Sequence, residues 1–206
     1  SGNSSVASFD NIDNFRDAAT SSNSKVLKSG ILYRSANLNK ASGDDVKELS
    51  TLLAGGVIID LRKSSDDGYK KDPTPDNVDN VHIPITGKAS AAGYKKTFVD
   101  SASDRQQFGK AIKEIANSKG PVLIHCKAGK DRTGWTVAMV MYIVGDSKYD
   151  QSTLDGLVMD EYLKSPNVDK SWLNAGLSEA QDKYHSIMGY IKNGLGVSDT
   201  TIAALK

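Results

Sequence analysis

The segment that most constrains the fold runs from residue 121 to 145, PVLIHCKAGKDRTGWTVAMVMYIVG. Its first six residues, 121–126, are apolar up to a His-Cys pair and have the length of a buried strand. Residues 133–145 are apolar on almost every side, as expected of a helix buried in a core. A short basic loop containing a glycine joins the two. The segment therefore predicts a strand, a loop and a helix that meet at Cys126, the single cysteine of the chain.

The position of Cys126 predicts an anion-binding site with a reactive thiol. Unpaired backbone N–H groups and the positive end of the helix converge on the loop and form a cradle for a tetrahedral oxyanion. The same field favours the thiolate, so we expect the pKa of Cys126 to lie below that of an ordinary cysteine. Gly129 permits a tight turn, and Arg132 can hold two phosphate oxygens. These features predict attack on a phosphate ester through a cysteinyl-phosphate intermediate.

Two neighbouring residues have predicted supporting roles. The Thr133 hydroxyl can hydrogen-bond the sulfur and stabilise it as the leaving group of the second step. His125 is expected to anchor the loop backbone, because a thiolate preformed by the loop needs no general base. A lone buried cysteine is most often a small hydrophobic residue. The complete pattern Cys-x5-Arg-Thr-Gly, between an apolar strand and a buried helix, favours the catalytic interpretation instead.

The rest of the chain alternates strand and helix patterns and then becomes helical. Further strands are predicted at 30–36, 57–60 and 78–85. Further helices are predicted at 42–56 with Ser42 as N-cap, and at 104–119, 152–165, 169–195 and 198–206. Loops are predicted at 21–25 and 63–77, and residues 86–103 have no clear period and suggest a mobile lid over a site. This order predicts an α/β fold with a central, mostly parallel sheet of about four or five strands, flanked by helices, and a helical C-terminal part.

Composition limits the domain organisation and the partners. The 206 residues, 38% hydrophobic and 25% charged, suit one domain over residues 9–206 after a disordered start at 1–8. A formal net charge of +1 gives no support for binding to nucleic acid. No apolar run approaches the roughly 18 residues of a transmembrane segment. A single cysteine excludes an intramolecular disulfide and a multi-cysteine metal site. The oligomeric state is left open.

The chain starts with SGNSSVAS and without an initiating Met. Such a start is typical of an added cloning remnant or of a mature chain whose export signal has been removed. Between an exported and a cytoplasmic protein we favour the exported one, although an unpaired cysteine is prone to oxidation in an oxidising compartment.

The loop HCKAGKDRTG, residues 125–134, resembles the signature loop of the cysteine-dependent protein tyrosine phosphatases, and within them that of a bacterial family. Blocks similar to that family follow its order at 14–19 (NFRDAA), 32–49 (LYRSANLNKASGDDVKEL), 57–62 (VIIDLR) and 184–206. The resemblance implies the cysteine-phosphatase fold, Cys126 as nucleophile and Arg132 as phosphate clamp. It implies that the remaining residues of the loop bind phosphate: Lys127, Ala128, Gly129, Lys130 and Thr133. This chemistry implies neither a cofactor nor a metal.

The substrate class has several candidates under this resemblance. Family members act on phosphotyrosine, on phosphoserine or phosphothreonine, and on phosphoinositides, and phosphotyrosine proteins are the predicted main substrate. Lys127 and Lys130 resemble lysines of a lipid phosphatase, which implies tolerance of inositol headgroups; solvated loop charges are the alternative. A mainly phosphoinositide-specific enzyme is the second interpretation. A non-catalytic phosphate-binding module would lack the nucleophile or the arginine, whereas a sulfurtransferase or arsenate reductase would lack Arg-Thr-Gly or need more cysteines.

The general acid is not defined by a separate motif. Many tyrosine phosphatases carry it in a Trp-Pro-Asp loop, and this sequence has no such tripeptide. An acid that protonates the leaving oxygen typically adds about 10²–10⁴-fold to the rate. By the resemblance, Asp131 inside the loop is the predicted acid. The alternatives are Asp100 and Asp104 in the segment at 86–104, and then Asp60.

Four charged residues are expected to support the site. Asp60 and Arg62 follow the predicted strand at 57–60, and a structural ion pair under the site is the alternative to a direct role. Arg16 and Asp17 are expected to brace the same region.

Overall fold

The computed structural model describes residues 9–19 and 26–206, so the predicted disorder at 1–8 and the predicted loop at 21–25 lie outside the described residues. The strands are β1 (Arg16–Asp17), β2 (Leu32–Ser35), β3 (Val57–Asp60), β4 (Asp79–His82) and β5 (Val122–His125). The helices are α1 (Gly43–Leu52), α2 (Ala91–Gly93), α3 (Ala102–Asn117), α4 (Arg132–Gly145), α5 (Gln151–Tyr162), α6 (Lys170–Tyr184), α7 (Ile187–Gly189) and α8 (Asp199–Leu205). Two π-helical stretches, Tyr94–Asp100 and Tyr190–Gly194, continue α2 and α7.

The described strands form one sheet in the order β1-β2-β5-β3-β4. Neighbouring strands are parallel except β1, which is antiparallel to β2. Every residue of β2, β3 and β5 is buried, as expected of strands covered on both faces. The predicted fold class is therefore confirmed: a mostly parallel sheet flanked by helices, followed by a helical C-terminal part.

Successive side chains of each strand point to opposite faces of the sheet, and each face packs into its own hydrophobic core. Ile58 and Leu123 pack with Leu49 and Leu53 at the α1 face. The opposite face joins a larger cluster that includes side chains of α3, α4 and α8. Every residue of α4 is buried, which explains its nearly uniform apolar sequence. Within the described ranges, no helix combines the length and the apolar character needed to cross a bilayer.

Two segments differ from their predicted form. Residues 86–103 were expected to be an aperiodic lid, but much of this segment is the helix formed by α2 and its π-helical continuation. Its side chains Tyr94, Phe98 and Val99 are fully buried, so the segment is part of the core. The predicted helical pattern at 169–195 is also interrupted, because α6 ends at Tyr184 and the next residue, His185, has a left-handed φ of 73°.

The carboxyl ends of the parallel strands meet at one edge of the sheet. The register places Ser35 of β2 and Asp60 of β3 on either side of His125. Because β5 is the central strand, the loop after His125 lies in the middle of this edge. Such an edge is where open α/β sheets bind their ligands.

Candidate active site

Residues 126–131 form the loop between β5 and α4, and Arg132 is the first residue of α4. Gly129 turns this loop with a φ of 71°, in the left-handed region that side chains disfavour. It also lies against β2, since a Cβ at this position would come within 2.3 Å of the Ser35 carbonyl oxygen. Any other residue at this position would distort the loop.

The carbonyl groups of the loop are held from behind. Gly129 accepts hydrogen bonds from Asn14 Nδ2 at 3.0 Å and from Arg34 Nη2 at 2.7 Å. The Lys127 carbonyl accepts from the backbone N–H of Asn37 at 3.0 Å and from its Nδ2 at 2.9 Å. Because these carbonyl groups face the body of the protein, backbone N–H groups are left to face the centre of the loop, as an anion cradle requires.

The Cys126 thiol is buried, with 2% of the residue exposed. Burial alone would raise its pKa, but the Arg132 charge, the Thr133 hydroxyl and the backbone N–H groups of Thr133 and Gly129 hold the pKa of Cys126 below its ordinary value. The Thr133 Oγ1 atom is buried and has no oxygen or nitrogen partner among the described residues. The thiolate is therefore the acceptor available to it. The arrangement favours a charged sulfur, both as nucleophile and as leaving group.

Arg132 reaches from α4 to the segments that follow β3 and β4. Its Nη1 donates to Asp66 Oδ2 at 2.7 Å and to the Ile85 carbonyl oxygen at 3.0 Å. Gly87 packs on its stem, and a Cβ there would lie 2.9 Å from Arg132 Cγ. Sequence reasoning found Arg132 but missed Asp66 and Gly87, because it assigned only a polar loop and a lid to their segments.

The Asp131 carboxylate is held at both oxygens. Oδ1 accepts from the Tyr94 hydroxyl at 2.6 Å, and Oδ2 accepts from Lys130 Nζ at 2.9 Å. The Tyr94 hydroxyl also lies 2.8 Å from that of Tyr162. Lys130 Nζ lies 5.1 Å from the centre of the Trp172 ring. The charge of Lys130 is therefore already balanced by Asp131.

Two of the alternative acids, Asp100 and Asp104, differ in their surroundings. Asp104, in the first turn of α3, is buried and accepts a hydrogen bond from the Thr86 backbone N–H at 3.1 Å. Its burial raises its pKa above the ordinary value, although this hydrogen bond and the nearby Arg132 charge act in the opposite direction. Asp100 lies at the surface, paired with Lys183 at 2.6 Å. Of these two aspartates, Asp104 is the one close enough to Arg132 to interact with it.

Beneath the loop, four charged side chains form a buried cluster. Arg62 pairs with Asp60 at 2.9 Å and with Asp72 at 3.0 Å. His125 Nε2 lies 2.6 Å from Asp72 Oδ2, and His125 Nδ1 lies 3.1 Å from the Cys126 carbonyl oxygen. Because both ring nitrogens face acceptors, the imidazolium satisfies both contacts. Burial alone would lower the pKa of His125, but the two carboxylates and the carbonyl raise it.

Three members of this cluster also have the spacing of cation ligands. Ligand atoms of Asp60, Asp72 and His125 lie within 4.8 Å of one another. The guanidinium of Arg62 contacts both carboxylates. The positive charge between the two carboxylates is therefore supplied by arginine, and Asp60 and Arg62 form the ion pair considered from the sequence.

A second buried ion cluster lies behind the loop. Glu161 of α5 accepts a hydrogen bond from Arg16 Nε at 2.8 Å and pairs with Arg34 of β2. Ser165 accepts from both arginines, and Arg34 extends to the Gly129 carbonyl. The sequence predicted that Arg16 braces the region of Asp60 and Arg62, but the structure pairs it with Glu161 in this second cluster. Arg34 and Glu161 were not singled out, because a charged residue within a strand or helix pattern gives no sign of burial.

Comparison with known proteins identifies the family of the chain. A family model described as the tyrosine phosphatase family matches residues 7–206. The chain belongs to this family. It is thus a phosphatase of the protein-tyrosine-phosphatase type, as the loop at 125–134 predicted. No curated protein matches the chain.

Several solved phosphatase structures align with this chain. The core catalytic domain of the PP-IP phosphatase SIW14 from S. cerevisiae aligns with a TM-score of 0.53 at 16% identity, over 91% of this chain and 97% of that chain. P. aeruginosa TpbA aligns with a TM-score of 0.49 at 18% identity, over 82% of this chain and 88% of that one. A mouse putative dual specificity phosphatase aligns with a TM-score of 0.48 at 14% identity, over 89% of this chain and 96% of that chain. At 16% identity, the likeness to SIW14 shows a common fold.

Proposed function

We propose that this phosphatase hydrolyses phosphomonoesters through a cysteinyl-phosphate intermediate on Cys126, with phosphotyrosine proteins as main substrates. The observation that carries the proposal is the buried Cys126 thiol at the start of a loop that leads directly to Arg132, whose charge lowers the pKa of the thiol. Residues 9–206 are proposed to act as one domain, because one hydrophobic cluster includes side chains from Ala18 to Ile202.

The reaction has two steps. In the first, the Cys126 thiolate attacks phosphorus, the ester P–O bond breaks, and an acid protonates the leaving alcohol or phenol. In the second, water attacks phosphorus, the S–P bond breaks, and the conjugate base of that acid takes a proton from the water. Backbone N–H groups and Arg132 stabilise the charge on the phosphoryl oxygens. The Thr133 hydroxyl stabilises the departing thiolate. None of these groups is a metal ion, so activity is expected to survive a chelator.

Asp131 is the proposed acid, supported by its place beside Arg132. Its two hydrogen bonds come from donors, Tyr94 and Lys130, and these position the carboxylate to receive a proton in the second step. Asp104 is the second candidate, because its raised pKa keeps it protonated at higher pH.

The two candidates are separated by leaving-group dependence. The variant that lacks the acid should hydrolyse an alkyl phosphate with a larger loss of rate than an aryl phosphate, because a phenolate can leave without protonation. The comparison uses Asp131→Asn and Asp104→Asn with both substrates. If Asp131→Asn loses the same fraction of its hydrolysis rate on both substrates, Asp131 has a structural role in the loop.

Phosphoserine and phosphothreonine proteins and phosphoinositides are proposed as further substrates. Support comes from Lys127, which is an exposed residue of the loop and has no ion pair in the described part of the chain. One solved protein of this fold is described as a PP-IP phosphatase, and a mainly phosphoinositide-directed enzyme is the alternative. Rates on a phosphotyrosine peptide, a phosphoserine peptide and a panel of phosphoinositides, measured side by side, decide between them.

The central test of the mechanism is Cys126→Ser. This variant should lose turnover of p-nitrophenyl phosphate and keep its fold, because the serine hydroxyl is close in size to the thiol but ionises far less readily. Circular dichroism checks the fold. Turnover retained by Cys126→Ser would overturn the mechanism.

A further inference from the structure

The Arg132 guanidinium offers one defined edge to a ligand. A guanidinium has five N–H groups, two of them on Nη1. Both Nη1 hydrogens are used, one by Asp66 Oδ2 at 2.7 Å and one by the Ile85 carbonyl at 3.0 Å. Among the described residues, Nε and Nη2 have no hydrogen-bond partner, and neither is among the fully buried unsatisfied atoms. The Nε–Nη2 edge is therefore the one available to two phosphate oxygens.

The contact with Asp66 also fixes the rotation of the guanidinium. An arginine side chain has several rotatable bonds, and a bidentate grip on phosphate requires one orientation of the planar group. A neutral carbonyl alone, from Ile85, would hold Nη1 weakly. The Asp66 carboxylate adds a charge-assisted hydrogen bond, roughly twice as strong as a neutral one.

Asp66 is itself held in place by an ordered loop. Its backbone N–H donates to the Lys63 carbonyl at 3.0 Å, and its carbonyl accepts from the Tyr69 N–H at 3.0 Å, which makes two successive turns. Arg62 anchors the far end of the loop: its Nη2 donates to the Lys70 carbonyl at 2.9 Å, and its guanidinium lies 4.6 Å from the centre of the Tyr69 ring. The buried ion pair beneath the site is thereby linked to the orientation of Arg132.

We propose that Asp66 is a positioning residue that fixes Arg132 so that its Nε–Nη2 edge faces the phosphoryl group of the substrate. This role rests on the proposed function of Arg132 as phosphate clamp. The opposite role is a resting lock, in which the Asp66 carboxylate competes with phosphate for Arg132. The two roles predict opposite effects of removing the carboxylate on phosphate binding.

The test compares Asp66→Asn and Asp66→Ala with Asp67→Asn, which changes an exposed aspartate next in the same loop. Positioning predicts that kcat/KM on p-nitrophenyl phosphate falls by about 10- to 100-fold in Asp66→Ala. Asp66→Asn, which keeps an acceptor oxygen, should lose less. Competitive inhibition by inorganic phosphate should also weaken, more in Asp66→Ala than in Asp66→Asn. Asp67→Asn should match the wild type in both measurements. Tighter phosphate inhibition in Asp66→Ala would establish the lock and overturn the proposal.

Two further measurements, of anion binding and of thermal stability, separate a positioning role of Asp66 from loss of catalysis and from loss of stability. Calorimetric titration of vanadate into Cys126→Ser, with and without Asp66→Ala, tests anion binding without turnover. If the wild type hydrolyses no phosphomonoester, the proposed function fails while this titration still tests Asp66. A purely structural role would lower the melting temperature of Asp66→Asn and leave the vanadate affinity of the folded fraction unchanged, and that result would also overturn the proposal.

Discussion

Gly87 lies where the chain after β4 crosses the stem of Arg132. A Cβ at this position would lie 2.9 Å from Cγ, 3.0 Å from Cδ and 3.2 Å from Nε of the arginine. Gly87→Ala should therefore displace the guanidinium while leaving the core intact. Misplacement of a catalytic group by 1 Å can reduce the rate up to about 100-fold, and we expect kcat/KM on p-nitrophenyl phosphate to fall by about tenfold or more.

Gly156 provides the matched control for this substitution. It lies within α5, and nothing would lie within 4 Å of an added Cβ. Gly156→Ala should leave the kinetics unchanged and raise the free energy of unfolding by about 0.5–1 kcal/mol, because alanine loses less conformational entropy in a helix. Denaturant unfolding of both variants checks the folds. Full activity in Gly87→Ala would show that Arg132 tolerates the displacement.

The site residues that could be predicted are those that lie close to one another in the sequence. Cys126, Arg132 and Thr133 lie within one short stretch of the sequence, and the chemistry of a thiol, a guanidinium and a hydroxyl after a strand limits what they can do. Asp66 and Gly87 reach the same site from other segments. Their role depends on how two irregular segments fold, and neither segment has a period from which that conformation can be read.

At the scale of elements, apolar patterns predicted the buried strands and the helices α1, α3 and α4. The predicted strand at 78–85 is longer than β4, which is an edge strand with mostly exposed side chains. The helix at 91–100 was not predicted, because its π-helical part uses i→i+5 hydrogen bonds. Of its buried side chains, Tyr94 and Phe98 have the i, i+4 spacing of an α-helix and Val99 does not, so this short stretch gave no clear period.

The Tyr94 hydroxyl of this π-helical segment contacts the loop that follows β5. Tyr94 donates to Asp131 at 2.6 Å and lies 2.8 Å from the Tyr162 hydroxyl. Tyr94→Phe should free Asp131 from one of its two partners. We expect kcat to fall by about tenfold, less than the full contribution of an acid, because Lys130 still holds the carboxylate. The loss of a hydrogen bond to a charged group should lower the free energy of unfolding by about 1.5–3 kcal/mol.

Tyr142 offers the same chemical change away from the loop. Its hydroxyl donates to Asp155 at 2.6 Å, between α4 and α5. Tyr142→Phe should lower stability to a similar extent and leave kcat unchanged. The comparison requires steady-state kinetics and denaturant unfolding of both variants. If the two variants lose the same amount of activity, the effect of Tyr94 is a general loss of stability.

At the scale of the whole molecule, the site depends on two buried ion clusters beneath and behind the loop. Arg34 and Glu161 hold the Gly129 carbonyl from behind, and Asp72 and His125 hold the Cys126 carbonyl from beneath. The order of strands and helices could be predicted because it follows from apolar patterns. The ion clusters could not, because each joins charged residues from separate elements, and a charged residue is usually exposed.

The cluster beneath the loop should make stability depend on pH in both directions. His125 has a pKa raised above 6.5 in the folded protein, because the carboxylates and the carbonyl outweigh its burial. Its stabilising contribution is therefore complete below about pH 6.5 and is lost as the pH rises through the raised value. Asp60 has a pKa lowered below 3.8, because Arg62 and His125 outweigh its burial. Its contribution is present above about pH 3.8 and is lost as the pH falls through the lowered value.

Asp72→Asn tests the basic side of this dependence, because it removes the carboxylate that lies 2.6 Å from His125 Nε2. The free energy of unfolding, measured by denaturant titration between about pH 5 and pH 9, should decline with rising pH in the wild type and more weakly in the variant. His185→Asn is the control, since His185 is exposed and asparagine tolerates its left-handed backbone. It should keep the wild-type slope. An equal slope in Asp72→Asn and the wild type would mean that the charge of His125 does not depend on this carboxylate.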